Sequence, residues 1–477
     1  MQSWFALAAL CACLVLIVPA HADRPKARLS PNRMLMVGGR PRFIIGLYEN
    51  PASDERLRQA VEAGFNLIHC AADRSALDRV HAAGAWVWVN TGYALDLSED
   101  ADNRRKALQD LVGKLADHPA LLVWEGPDEA LWNCWYGPLQ QLEEEHQAMR
   151  HEADARPDLR PILNAALDRY HRALWAEWEI LRNEFWRQSG KSIPYPNARL
   201  GLAEKRASAM GQGFTAGARY LRSLDPQHFI WLNHAPRNSI RAMREHNRAV
   251  DMAGCDIYPI PSNLGNGHSD LGNVWPSCVG DYTDRMRQAA PGKACAMVLQ
   301  GFGWSDLSPT VDEAAEKVGI GRRPTLHEQR FMAWDAIVHG ANAIMYWGTA
   351  YLKEPDSDAA KRFWNDLLSV VCEVRSLERF IVEPDLTPSP SVRVEEHYAS
   401  NDGSGVRVAV KRSGEAYLLI VVNERSYGLA FSLNGLPSAL EGKRLRLIGE
   451  QGTEVTVRGR ALRDGIVGWG VRLYATE

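Results

Sequence analysis

Pro119–Trp132 reads PALLVWEGPDEALW: an apolar run from Ala120 to Trp124, then Glu125, Asp128 and Glu129 within five residues, with Trp132 and Trp135 following. A run apolar on both faces belongs in a parallel sheet covered by helices. Ionised groups at its end are tolerated only where the strand emerges into a mouth open to water. The pattern is that of the C-terminal end of one barrel strand carrying an active site. The competing reading is a strand followed by a helix whose first turn holds Asp128 and Glu129 because acids favour the positive end of the helix dipole.

The flanking chain favours the barrel. Met34–Ile45 predicts two short strands around Gly38-Gly39, the second leading into Gly46, Leu47, Tyr48 and Glu49 as the first of a series. Helices over Ser53–Ala63 and Asp73–Ala83 stop at Gly64 and Gly84, where a residue without Cβ is comfortable, and alternate with strands at Phe65–Cys70 and Ala85–Asn90. Leu108, Leu111, Val112 and Leu115 mark a third helix by their spacing. Further strands are expected at His228–Asn233, Asp251–Tyr258, Ala294–Gln300 and Ala343–Trp347, with a Thr325/Glu328 capping box opening the helix before the last. Eight strands alternating with helices predict an α/β chain, a (β/α)8 TIM barrel over residues 34–383. Residues 138–211 interrupt it after strand four as a helical insertion, long enough to roof the mouth or to pack on the flank. Proline content makes 384–391 a linker, and the short, partly alternating runs of 392–477 predict a C-terminal antiparallel β-sandwich of seven strands.

Charge is nearly balanced, 55 Lys and Arg against 58 Asp and Glu, so there is no basic footprint for nucleic acid. The 16 Trp suit the flat apolar faces of sugar rings as well as a core. Residues 1–22 read as an export signal, an apolar run from Trp4 to Val18 followed by Ala20, His21 and Ala22. The mature chain is then expected to begin near Asp23, in the periplasm or outside the cell, with no stable membrane insertion after cleavage. The run has no Lys or Arg before it, while Arg24, Lys26 and Arg28 follow, and this leaves an uncleaved anchor with a cytoplasmic body as the other reading. Cysteine spacing shows no zinc motif, and neither metal nor organic cofactor is expected; no Walker loop or GxSxG elbow occurs. Cys134 and Cys278 fall in predicted loops, where an exported chain permits a disulfide between them, whereas Cys70, Cys255 and Cys295 lie in strands as buried thiols.

The strand ends together supply Glu49, Tyr93, Glu125, Asp128, Glu129, Asn233, His234, Asp256, Tyr258, Gln300, Trp304, Tyr346 and Trp347. Carboxylates among aromatics and amides suit glycoside cleavage, in which one acid protonates the leaving oxygen and a second carboxylate activates water or attacks the sugar. Plainer roles exist for several of them. Asp256 can bond backbone or an arginine, His234 can support a strand end, and Trp304 and Trp347 can be core.

A barrel with an acidic motif closing strand four after a Trp, an aromatic motif at strand six, a Trp closing strand eight and a C-terminal sandwich resembles the clan A glycoside hydrolases. The likeness is greatest to their β-galactosidase-like and cellulase-like members. The sharpest match is VWEGPDEA, Val123–Ala130, which is similar to the clan's Asn-Glu motif with Asp128 in the Asn place and Glu129 as acid/base. The resemblance implies hydrolysis of an O-glycosidic bond in a polysaccharide or oligosaccharide without a cofactor. Strand seven departs from it. In VLQGFGW, Val298–Trp304, Gln300 and Gly301 stand where the clan has its nucleophilic Glu, and an amide cannot do that work. Another carboxylate must then serve, Asp256 first because it shares parity with Tyr258, with Asp306 and Glu125 as rivals. Hydrolysis would proceed through water activated by that acid, with inversion. Otherwise the barrel binds carbohydrate without cleaving it, or acts on another polar ligand.

Overall fold

The computed structural model describes residues 26–172, 174–262, 271–307, 321–394, 405–450 and 452–476; the leader expected over 1–22 lies outside them. A hairpin of β1 (Leu35–Val37) and β2 (Arg40–Arg42) precedes the first barrel strand, β3 (Ile44–Leu47). The second of the two strands expected around Gly38-Gly39 is therefore split into β2 and β3. Phe43 gives its N–H to Glu378 Oε1 at 3.1 Å, and this takes the chain out of the hairpin ladder. The series continues with β4 (Leu67–Cys70), β5 (Trp86–Asn90), β6 (Leu121–Glu125), β7 (Phe229–His234), β8 (Met252–Asp256), β9 (Ala294–Gln300) and β10 (Ala343–Trp347). Neighbours pair in parallel and in order, and β10 returns to β3, so the barrel closes.

The helices begin and end as the sequence requires. α1 (Asp54–Ala63) is capped by Ser53 and stopped by Gly64 at φ 125°, α2 (Arg74–Ala83) by Asp73 and Gly84 at φ 93°, and α3 (Ala101–Leu115) follows. Thr325 and Glu328 form both halves of their capping box. Inside the bore, alternate residues of each strand stack in layers. Trp88 and Trp231 meet edge to face at 5.4 Å, and Tyr48 caps both rings at 5.2 and 5.6 Å. Gly254 makes room for that layer, because a Cβ there would lie 2.8 Å from Trp231 Nε1.

The insertion starts at Ala130, earlier than 138, because the helix runs through Gly137-Pro138. It comprises α4 (Ala130–Ala155), α5 (Arg160–His171) and α6 (Trp175–Ser189), and α7 (Leu200–Leu224) leads back to β7. α4, α5 and α6 bury a core of their own around Leu142, Met149, Leu163, Trp178 and Phe185. Inside it Arg182 Nε bonds Glu145 Oε1 at 2.6 Å and Trp186 Nε1 donates to the same oxygen at 2.7 Å.

Beyond the barrel, a three-stranded sheet (Ser391–Val394, Leu429–Asn434, Ala461–Ile466) faces a five-stranded one (Val406–Ser413, Ala416–Asn423, Val471–Ala475, Arg444–Leu447, Glu454–Thr456), all antiparallel. Ala461–Ile466 is the eighth strand, absent from the sequence reading because only Leu462 and Ile466 are buried in it and Asp464-Gly465 reads as a turn. One face of the larger sheet packs Leu419, Val421 and Tyr474 against Phe431 and Leu433. Its other face, with Leu418, Ile420 and Leu473, joins the core beneath the barrel helices. Leu386 of the Pro-rich segment donates its N–H to Val410 O at 2.8 Å, so that segment is laid along the sandwich.

All six described cysteines are free thiols. Cys134 lies in α4 with its sulfur 3.9 Å from Met210 Sδ, and Cys278 opens the helix Cys278–Ala289. Both are buried on helix faces rather than in loops, and the disulfide that loop positions would permit between them is not formed. Among the described residues no helix is long and apolar enough to cross a membrane.

Candidate active site

Strand parity fixes the floor of the site. On β6, Trp124 points outward and bonds Asp225 Oδ2 through Nε1 at 2.8 Å, so Glu125 enters the bore. There it accepts from Trp88 Nε1 (3.1 Å), Asn90 Nδ2 (3.0 Å) and the Tyr48 hydroxyl (3.2 Å). Burial, then the charge of Asp128, pushes its pKa up to about 8. Glu125 is thus a neutral acid at neutral pH, below the mouth rather than lining it.

After Gly126, which packs against Leu232, and Pro127, the chain turns sharply. Glu129 adopts φ 48°, ψ 27°, a left-handed conformation that costs a side-chain-bearing residue energy and recurs at functional sites. The turn holds Asp128 and Glu129 over the strand ends. Asn233 Nδ2, from β7, donates to Asp128 Oδ1 at 3.0 Å and lies 3.4 Å from Asp256 Oδ1 at the end of β8. The carboxyl groups of Glu129 and Asp256 are hydrogen-bonded to each other. Burial, then Asp128, raises Glu129 to about 7; burial, then Glu129 and Asp128, holds Asp256 well above the carboxylate range. Two carboxyls in contact share one proton, since both cannot ionise side by side.

This group floors a cavity of about 270 Å³ whose wall is Tyr258, Trp304, Leu307 and Trp347, with Tyr48 at its base. Tyr258 stacks on Trp347 at 5.5 Å and 18°, and Phe302 meets both rings at 5.1 Å. Glu49 does not face the cavity; its carboxylate accepts from Gly348 N (2.5 Å) and Thr349 Oγ1 (2.8 Å) and so fixes the turn after Trp347.

Of the residues expected here, the fold gathers Asp128, Glu129, Asn233, Asp256, Tyr258, Trp304 and Trp347 around one cavity. It leaves others outside. Tyr93 lies in a short turn, Gly92–Leu95, 42% exposed, and does not line the cavity. His234 has the outward parity of Leu232; its Nε2 bonds Asn247 Oδ1 at 2.8 Å and burial lowers its pKa to about 4. Tyr346 likewise points outward, its ring 5.9 Å from that of Phe65. Gln300 is fully buried and spends its amide on Ile260 N (2.9 Å), Ile260 O (2.8 Å) and Phe302 O (3.1 Å), clamping two loops together. Asp306 is also structural. Burial alone would raise it, but Arg323 at 2.6 and 2.9 Å and the N–H groups of Gly303 and Lys353 hold its pKa below the usual range. No residue of α5 or α6 lines the cavity, so the insertion is not its roof.

Tyr48 and Leu307 were not expected. Tyr48 was available to the period-two rule, since Ile44, Gly46 and Tyr48 alternate toward the bore; the charge of the adjacent Glu49 drew attention to the wrong parity.

No protein-family model matches this chain, and no curated protein matches it in sequence. Among solved structures it is similar to Gan42B, a GH42 β-galactosidase, with TM-score 0.51 and 11% identity over 91% of this chain and 98% of that one. A catalytic mutant of Gan42B from G. stearothermophilus gives TM-score 0.50 and 12% identity over 91% and 98%. At such identity the likeness is one of fold, a closed parallel barrel followed by antiparallel sheets. The expected clan A resemblance thus holds as architecture.

Proposed function

We propose that this protein hydrolyses O-glycosidic bonds of a polysaccharide or oligosaccharide, with Glu129 as proton donor and Asp256 as the second carboxylate. The observation that carries the reading is the proton-sharing pair on the floor of an aromatic-walled cavity. An acid with a pKa near 7 keeps its proton in about half of the molecules at neutral pH, so a proton is available to a leaving oxygen. Tyr258, Trp304 and Trp347 offer ring faces to the apolar side of a sugar. The fold shared with a β-galactosidase supports the same class of chemistry.

The contact between the two carboxyls favours a different stereochemistry from the inversion expected from sequence. Inversion needs about 6.5–9.5 Å between them to seat a water, and retention about 5–5.5 Å. Groups joined by a hydrogen bond lie closer than either spacing, which leaves no seat for a water between them and favours direct attack by Asp256. The pair holds one proton, mainly on Asp256; in the form that carries it on Glu129 instead, ionised Asp256 attacks the anomeric carbon while Glu129 gives that proton to the departing oxygen. The C–O bond breaks and a glycosyl ester forms on Asp256. Water then loses a proton to Glu129, attacks the same carbon and frees Asp256.

A non-catalytic carbohydrate-binding barrel is favoured by one observation, the use of Gln300 as a loop clamp on strand seven. A panel of O-glycosides separates the two. Cleavage by the wild type, lost in Glu129→Gln, supports the hydrolase. Binding without cleavage of any member, abolished by Trp347→Ala, would establish the binding barrel instead.

The leader-like 1–22 supports export of this activity from the cytoplasm. N-terminal sequencing from the native host should begin near Asp23, and an intact Met1 on membrane-bound protein would refute it.

A further inference from the structure

A second cluster of charged side chains lies between the barrel and the sandwich, far from the mouth in the chain's topology. The helix Leu326–Val338 ends beside the five-stranded sheet. Asp335 and His339, one turn apart at that end, meet Glu424, which follows the sandwich strand Ala416–Asn423. One ligand atom from each of the three lies within 4.8 Å of the others. His339 Nε2 is 2.8 Å from Glu424 Oε1 and 3.8 Å from Asp335 Oδ1.

Four further features bear on a cation there. Asp335 is wholly buried; its Oδ2 accepts from Gly280 N at 2.7 Å, while no hydrogen-bond donor reaches Oδ1 among the described residues. A buried carboxylate oxygen left in that state is costly, and the nearest positive group, His339 Nε2, stands 3.8 Å away, beyond hydrogen-bond reach. The other ring nitrogen of His339, Nδ1, lies 3.0 Å from Asp284 Oδ2, the carboxylate–imidazole arrangement that orients a metal-binding histidine. Gly280 has no Cβ for a local reason, since one would stand 2.5 Å from His339 Nε2 and 2.9 Å from Asp335 Oδ2. A cavity of about 420 Å³, bordered by Asp281, Glu424 and Trp469, reaches the Glu424 side of the cluster.

We propose that Asp335, His339 and Glu424 bind one zinc-like divalent cation, which fastens the sandwich to the barrel. Bonds of about 2.0–2.2 Å from one imidazole nitrogen and two carboxylate oxygens suit zinc, whereas calcium and magnesium favour shells of oxygen alone. The ligands come from both domains, so binding opposes their separation and stabilises the folded chain.

The test uses the full chain, stripped with a chelator and dialysed against zinc. One zinc per chain and a raised Tm are expected. Asp335→Asn, which keeps the acceptor for Gly280, and Glu424→Gln should each bring uptake close to zero. Asp284→Asn should weaken zinc binding by about 10–100-fold. Glu129→Gln should leave uptake at one, which separates this site from the carboxyl cluster in the mouth. Absence of zinc from the wild type, calcium or magnesium taken up in its place, or uptake unchanged in both ligand variants would overturn the assignment. Should Asp335→Asn fail to fold, Glu424→Gln on the sandwich edge decides alone.

Discussion

Asp256 and Asp306 are both buried acids near the C-terminal ends of neighbouring strands, yet their surroundings differ in one respect. Asp306 is given the Arg323 guanidinium and two backbone N–H groups, and it is held ionised. Asp256 faces Glu129, with Asp128 near and the Asn233 amide at 3.4 Å, and its pKa is driven up. Burial acts on both in the same direction, so the countercharge is what separates an acid that secures a loop from one left to share a proton with Glu129.

The largest effect should follow from Asp256→Asn. Without a nucleophile, turnover of a cleaved glycoside should fall by about 10⁴-fold or more, at least the upper range for loss of an acid/base group. Glu129→Gln should cost about 10²–10⁴-fold on an unactivated substrate and less where the leaving group needs little protonation. Steady-state rates on both substrate types check this, and equal losses would argue against a proton donor at this position.

Asp306→Asn should act on the other side of the comparison. Removal of the partner of Arg323 should lower unfolding free energy by about 1.5–3 kcal/mol in urea titration, with turnover of the folded fraction within a few-fold of wild type. A large loss of turnover at unchanged stability would exchange the roles of the two acids.

The pH response sharpens the contrast further. Because Glu129 is raised to about 7, activity should decline as pH rises through 7 and the pair loses its shared proton. Stability has the same sign. Glu125, raised to about 8, holds a proton that the unfolded chain releases near pH ~4.3. Its contribution is complete below that value and is lost as pH rises through about 8. Melting temperatures should therefore fall from pH 5 to pH 9, and Glu125→Gln should flatten the slope. The smallest effect should come from Trp347→Ala, a rise in KM corresponding to about 0.5–1.5 kcal/mol of lost stacking with kcat less affected.

Much of the fold was legible because its signals are local. Gly64, Gly84, the Thr325/Glu328 box and the apolar runs each specify an element without reference to the rest of the chain. The site was less legible, because strand ends are ambiguous by one residue and a shift of one reverses the face. That ambiguity exchanged Tyr48 for Glu49 and admitted His234 and Tyr346. Gln300 has the right parity but is consumed by backbone partners forty residues away in the chain, on Ile260. Asp306 could not be told from Asp256 until Arg323 was seen to meet it. Asp335, His339 and Glu424 have no motif spacing, since two domains must fold before they meet.

The anomeric configuration of the first-formed product, followed by proton NMR on a cleaved glycoside, tests the central claim most directly. Direct contact between Glu129 and Asp256 leads to retained configuration, with a mechanism-based inhibitor adding its mass to Asp256. Inverted product and an unlabelled chain would contradict it and restore water as the attacking group.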